Sequence, residues 1–346
     1  MRHYFSYFSI YHRFVLAVGM AMTTVGYFAK PDQSNSLKTV AEMIGAPSIV
    51  DPEQLTKINP IAEMVTGPGS KNPTVPIVRD DIFYDGIFSD NLDGKGTITW
   101  PSQQIYRGDV RGGLPHGKGN MLFANGRTYT GELSLGKLHG KGELHWPDGS
   151  FYRGQFINDV VAGQGDYTSA VGDRFLGEFA DEKPHGRGTL TLSSGDIYMG
   201  EVQYGVIEGS GVLAFADGSI YQGEFTAGRM EGAGERTWPN GNTYKGQFQH
   251  DNFHGYGVAH FANGVVHEGG FADGKPGGEG KRKWPDGRVY RGNWENGLRE
   301  GRGTMTFAND DRFEGQFKAD MMHGLGRCYS SGAATPCTFF ENERLD

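Results

Sequence analysis

The chain has 346 residues, with 33 Lys and Arg against 41 Asp and Glu and a formal net charge of −8. Residues 1–80 carry net +1 and residues 81–346 net −9, so the longer part lacks the clustered cations that hold DNA, RNA or anionic lipid. Glycine is equally uneven, with 51 of 56 after residue 80, a density that argues for a repeated unit rather than one globular core.

Residues 1–30 carry Arg2, Arg13 and Lys30 and no acid. From Phe14 to Ala29 runs an uncharged, mostly apolar stretch. As a helix it spans about 24 Å, a little short of a hydrocarbon core of about 30 Å. Tyr4, Phe5, Tyr7, Phe8 and Tyr11 precede it at the place of an interfacial aromatic belt. An uncleaved signal anchor with a cytoplasmic N-terminus is the expected reading. A cleavable signal peptide ending near Ala21 or Ala29 is the alternative, weakened because neither site is a good A-x-A. A buried soluble helix is the third reading. No cysteine stands directly after the stretch, which argues against a lipoprotein.

Between residues 31 and 80, seven prolines break the chain into short pieces. Leu37, Val40, Ala41 and Ile44 share one helical face, with Ser36 as a cap and Gly45 as a stop. This helix is either part of a spacer or a cover for the first unit of the repeated part. The boundary falls near residue 80.

From residue 81 to the end the chain repeats every 23 residues. The copy from Tyr129 to Phe151 reads Y-T-G-E-L-S-L-G-K-L-H-G-K-G-E-L-H-W-P-D-G-S-F. Further copies open at Tyr152, Phe175, Tyr198, Tyr221, Tyr244, His267, Tyr290 and Phe313, and earlier ones at Tyr84 and Tyr106, eleven in all. Alternation of Tyr129, Gly131 and Leu133 with Thr130 and Glu132 predicts a strand. Gly142, Leu144 and Trp146 predict a second strand after a turn at Leu138-His139-Gly140, and Asp148-Gly149 turns the chain into the next copy. Gly131, without a side chain, leaves room for a neighbouring ring such as Tyr152. The expected fold is all-β: an elongated single-layer antiparallel sheet of consecutive hairpins over residues 81–346, preceded by an N-terminal hydrophobic helix (1–30) and a proline-rich linker (31–80). At about 9.5 Å per hairpin, eleven copies would reach roughly 100 Å.

This pattern resembles the MORN (membrane occupation and recognition nexus) repeat family, whose unit has the form Y-x-G-x-[FW]-x-x-G-x-x-H-G-x-G-x-x-x-x-x-x-G. Val161-Ala162-Gly163-Gln164-Gly165 departs from it by lacking the histidine, His267 by replacing the opening tyrosine, and Asn309-Asp310 by replacing a turn glycine. The resemblance implies a membrane tether or a scaffold for protein assemblies, since no residues are left over for a catalytic domain.

Three rows of side chains recur in register. His116, His139, His185, His254 and His323 share one position with Glu208, Glu231 and Glu300. At about 9.5 Å per copy such a row cannot close one metal shell, so a structural turn residue is expected and no metal. Glu132, Glu178, Glu201 and Glu224, with Asp109 and Gln155, form a second row. Nothing evident separates their acidities, so a solvated face is expected rather than a carboxylate pair for catalysis. The basic run Lys281-Arg282-Lys283 reads as a solvated edge near a turn.

The third row is aromatic: Trp146, Trp238 and Trp284 with Phe123, Phe215, Phe261 and Phe307. These rings either fill a concave core or grip a partner. Cys328 and Cys337, nine residues apart in the last copy, are expected to bridge, the alternative being two buried thiols. The sequence contains no nucleophile elbow and no phosphate loop, and no cofactor is expected. The expectation is a non-enzymatic, membrane-associated scaffold that binds a protein partner through the concave face of the array. The array would be exported to the periplasmic or extracellular side, or secreted after cleavage. A cell-envelope glycan-binding module is the alternative, and a lipid-binding module fits the charge less well.

Overall fold

A computed structural model of the chain describes residues 76–345. The described residues form strands and turns and no helix, as the repeat requires. The expected membrane stretch Phe14–Ala29 and the short helix near Leu37 lie outside them. Among the described residues no helix is long and apolar enough to cross a membrane. The chain divides between Val206 and Ile207 into two compact units.

In the first unit, one copy shows the principle. Strand Thr128–Ser134 pairs antiparallel with Lys137–His145, which pairs in turn with Phe151–Ile157 of the next copy. The connection within the copy is Leu135-Gly136, with φ of 48° and 83°. Two consecutive positive φ values make the two-residue hairpin turn whose twist matches that of the strands. The turn expected at Leu138-His139-Gly140 is therefore displaced: these three residues lie inside the second strand.

They form a bulge there. Gly131 pairs with Gly142 and Leu133 with Leu138, so Glu132 alone faces three residues, 139–141. Gly140 takes φ +63°, and an added Cβ would stand 2.4 Å from a Glu132 carboxylate oxygen. The same register shift recurs beside Gly177 and, in the second unit, Gly223, Gly246 and Gly315. His-Gly is thus a bulge signature.

Tyr129 is fully buried. Its ring lies over Gly131 and Gly142 of its own copy, where a Cβ on either would fall within 2.5 Å of the phenol oxygen. Tyr152 covers Gly154 and Gly165 in the same way, not Gly131 as expected. The tyrosine folds back on its own strand, where its hydroxyl donates to the Glu132 carbonyl at 2.7 Å, beside the bulge. Burying each such ring stabilises by roughly 1.5–3 kcal/mol. Burial pushes the Tyr152 hydroxyl up to about 12 and Tyr129 higher, with Glu132 adding to the latter.

Phe156 then stands edge-on to both Tyr129 and Tyr152, at 5.2 and 5.3 Å. The second unit repeats the arrangement, with Tyr221 against Phe248 at 4.8 Å and Tyr290 against Phe317 at 4.9 Å. Its C-terminal end closes on Tyr290, Trp294, Met305, Phe313, Phe317 and Cys337.

Hairpin tips are tied copy to copy. The Asp159 amide donates to the Leu138 carbonyl at 2.9 Å, and the Leu138 amide donates to the Asp159 carboxylate at 2.8 Å. Met230 and Asp251 repeat the reciprocal pair in the second unit, as do Arg299 and Asp320.

Candidate binding groove

Strand alternation sends the buried tyrosines and phenylalanines to one face and a polar row to the other. The aromatic candidates sit where each copy turns into the next. The Trp146 amide donates to the Ser150 carbonyl, and its own carbonyl accepts from Gly149. Its ring meets the Tyr167 edge at 6.3 Å. Arg236 lies over Phe215 and Trp238, Arg288 over Trp284, and Arg127 over Phe123. Trp284 and Phe307 pack on the C-terminal cluster, while Phe261 is exposed. Apart from Phe261 the rings are half-buried partners of the apolar face, and none of them lines the groove between Tyr256 and Leu325.

In three copies the residue at the histidine position offers an acceptor atom to the next tip, whereas His185 Nδ1 has no hydrogen-bond partner and its ring lies 4.6 Å from that of Tyr204. The amide of Leu135, first residue of a hairpin tip, donates to His116 Nδ1 at 3.4 Å. Glu231 accepts from the His250 amide at 2.9 Å, and Glu300 from the Ala319 amide at 2.8 Å. Each reaches 19 residues onward to the next tip, which explains why His and Glu interchange here. Among the described residues no group of three or more His, Cys, Asp or Glu converges as metal ligands. In the carboxylate row, Glu132, Glu178 and Glu224 lie over the bulge glycines Gly140, Gly186 and Gly232. Cys328 and Cys337 are joined in a disulfide across the last long hairpin, with Cα atoms 5.9 Å apart.

The groove lies on the polar face of the second unit and has a volume of about 1100 Å³. Its floor is a rail of backbone: Gly269 pairs with Gly280, Gly280 with Gly292, Gly292 with Gly303, and Gly303 with Gly315. The glycines that admit the tyrosine rings on one face leave the other without a ridge. Lys281, Arg291 and Arg302 stand over this floor, with Glu268, Glu279 and Glu314 around them. Tyr256, 61% exposed, and Leu325, 78% exposed, mark its two ends.

Two of the three carboxylates are committed. Glu268 accepts from the Tyr256 hydroxyl at 2.7 Å, which pushes that phenol up from its ordinary value. Glu314 pairs with Arg312 at 3.1 Å and accepts from the Tyr329 hydroxyl at 3.0 Å. Lys281, Arg291 and Arg302 have no ion-pair partner among the described residues.

The expected solvated basic edge is corrected by this placement. Strand Lys275–Lys283 is central, paired on both sides. Lys281 faces the groove, whereas Arg282 is turned to the apolar face, 4.1 Å above the Trp294 ring. Sequence reasoning missed the groove because its members are spread over seven strands. The period of two, which separates Lys281 from Arg282, was the signal available.

The family model described as MORN repeat matches eleven consecutive segments, from 84–105 to 313–333. No curated protein matches. Among solved structures, the TCP domain of SAS-4 (dCPAP) from Drosophila melanogaster, in complex with a proline-rich motif of Ana2, is 14% identical. That match covers 51% of this chain and 85% of its own, with a TM-score of 0.27. The TCP10 domain of Danio rerio CPAP, in complex with a peptide of STIL, is 13% identical over 73% of this chain and 97% of its own, with a TM-score of 0.29. Virginiamycin B lyase from Staphylococcus aureus is 10% identical over 75% and 88%, with a TM-score of 0.14. These likenesses are too distant to carry function.

Proposed function

Because the chain belongs to the MORN-repeat family, with matched copies across residues 84–333, we propose that it is a non-enzymatic scaffold that binds a protein partner on the polar face of its array. The observation that supports this is the groove itself: a glycine-floored channel whose cations lack ion-pair partners among the described residues. Such a surface has binding groups to spare and no enclosed cavity in which an acid, a base and a nucleophile converge. Residues 14–29 hold the chain at a membrane in this reading, with the array on the exported side.

Site-specific photocrosslinking tests it. A photoreactive residue at Asn293, in the groove, is expected to give an adduct with a defined protein when the full-length chain is irradiated in its native membranes. The same residue at Ser331, in a terminal turn, is expected to give none. An adduct with glycan or lipid alone at Asn293, or none at all, would remove the reading. Protease shaving of intact cells is expected to reach the array without lysis; protection until lysis would reverse the topology.

A further inference from the structure

We propose that the groove seats an extended acidic segment of the partner protein, its carboxylates over Lys281, Arg291 and Arg302 and apolar side chains against Tyr256 and Leu325. The inference deepens the scaffold reading and rests on it.

Charge complementarity carries it. At four places elsewhere on the polar face, a cation opposite an acid on the adjacent strand closes an ion pair. Lys95 meets Asp109 at 3.4 Å, Glu143 meets Arg153 at 2.7 Å, Arg187 meets Glu201 at 3.1 Å, and Glu235 meets Lys245 at 3.3 Å. Among the described strand pairings, Lys281 opposite Arg291 is the one place where two cations face each other. Like charges directly opposite on a sheet destabilise it. Arg302, on the strand beyond Arg291, adds a third cation to the patch. Glu268, opposite Lys281 on its other side, is engaged by Tyr256 instead, and Glu314 by Arg312 and Tyr329. The sheet thus leaves unmade at this point a pairing it makes elsewhere, and a partner's carboxylates complete it. Glu279, opposite Asn293, sets a place for a hydroxyl or a cation within the same segment.

The ends set length. Tyr256 and Leu325 lie on strands six spacings apart, about 29 Å, which about nine extended residues span. The floor favours an extended chain over a helix, because a helix docks through an apolar groove and this one is lined by backbone and charge.

The test uses full-length protein in detergent and a fluorescein-labelled probe, Leu-Asp-Ser-Glu-Asp-Ser-Glu-Asp-Leu, read by anisotropy. Three competitors run beside it: the same peptide with Asn and Gln for Asp and Glu, pentagalacturonate, and phosphatidylglycerol vesicles. The acidic probe is expected to bind at least tenfold more tightly than the amide peptide. The double variant Lys281→Glu, Arg291→Glu is expected to weaken it at least tenfold, and Tyr256→Ala or Leu325→Ala severalfold each. Arg153→Glu, outside the groove, is expected to leave it unchanged. Circular dichroism checks folding, and Lys281→Gln, Arg291→Gln replaces the double variant if that variant fails to fold. Equal binding of the amide peptide, indifference to the groove substitutions, no binding of the acidic probe, or preferential binding of galacturonate or vesicles would each overturn the inference. If the probe fails while the Asn293 adduct with a protein persists, only the acidic-segment inference falls; loss of that adduct removes the scaffold reading too.

Discussion

A single methyl group tests the packing at residue scale. Gly142→Ala would place a Cβ 2.3 Å from the Tyr129 hydroxyl oxygen, with the ring held between backbone and Phe156. We expect a loss of about 3 kcal/mol in chemical denaturation. Gly149→Ala, at φ +92° with nothing within 4 Å, should cost only about 1–2 kcal/mol, through backbone conformation. Equal losses would mean that the Tyr129 contact is not what demands glycine. His267 gives a second prediction. It occupies a tyrosine position and is fully buried. Burial, helped by Arg282 nearby, lowers it to about 4 from an ordinary 6.5. Between those values the unfolded chain binds the proton and the folded one does not. Stability is therefore full above about pH 6.5 and falls as pH drops toward 4. His267→Tyr should flatten the change in melting temperature between about pH 7 and 5; an unchanged slope would show that other groups set it. Residue identity at this position was legible in the sequence as a departure, but its cost was not, because that depends on Trp294 at 4.9 Å from the next copy.

At the scale of the element, the hairpin period was legible and the turn was not. Asn-Gly and Asp-Gly announce the connections between copies and also the tips at Asp273-Gly274 and Asn296-Gly297, whereas other tips inside copies carry Leu135, Tyr204, Ala227, His250 or Ala319 at positive φ. Such residues are poor local signals for that conformation. Several are held there by an acceptor from the preceding copy, such as His116 or Glu231, so local sequence alone does not reveal the turn. The last hairpin has a covalent tie instead. Cys337 is buried against Phe313 and Phe317, and its bond to Cys328 closes a short loop. Reduction, or Cys328→Ser with Cys337→Ser, should destabilise this hairpin by about 2–3 kcal/mol. Hydrogen exchange should then quicken over Ala333–Phe340 and stay unchanged over Thr128–His145. Exchange that quickens equally in both would mean the tie acts on more than its own hairpin.

For the whole molecule, every strand pairing within a unit joins elements adjacent in sequence. Stability in such an array is a sum over neighbouring copies. Gly142→Ala should accordingly lower exchange protection in the copies beside it while leaving Val289–Thr306 protected. Uniform loss along the chain would indicate one all-or-none unit. The groove belongs to this scale, since its glycine rail is visible in any one copy but its cations gather only once the copies from Tyr244 to Phe313 are in register. The reciprocal ties between tips have a kinetic consequence. Asp159 completes hydrogen bonds that Leu138 presents 21 residues earlier, so nothing in a copy waits for the distant C-terminus. A polypeptide leaving the ribosome would settle each hairpin onto its predecessor as synthesis proceeds, so that no finished hairpin waits unpaired for a later one.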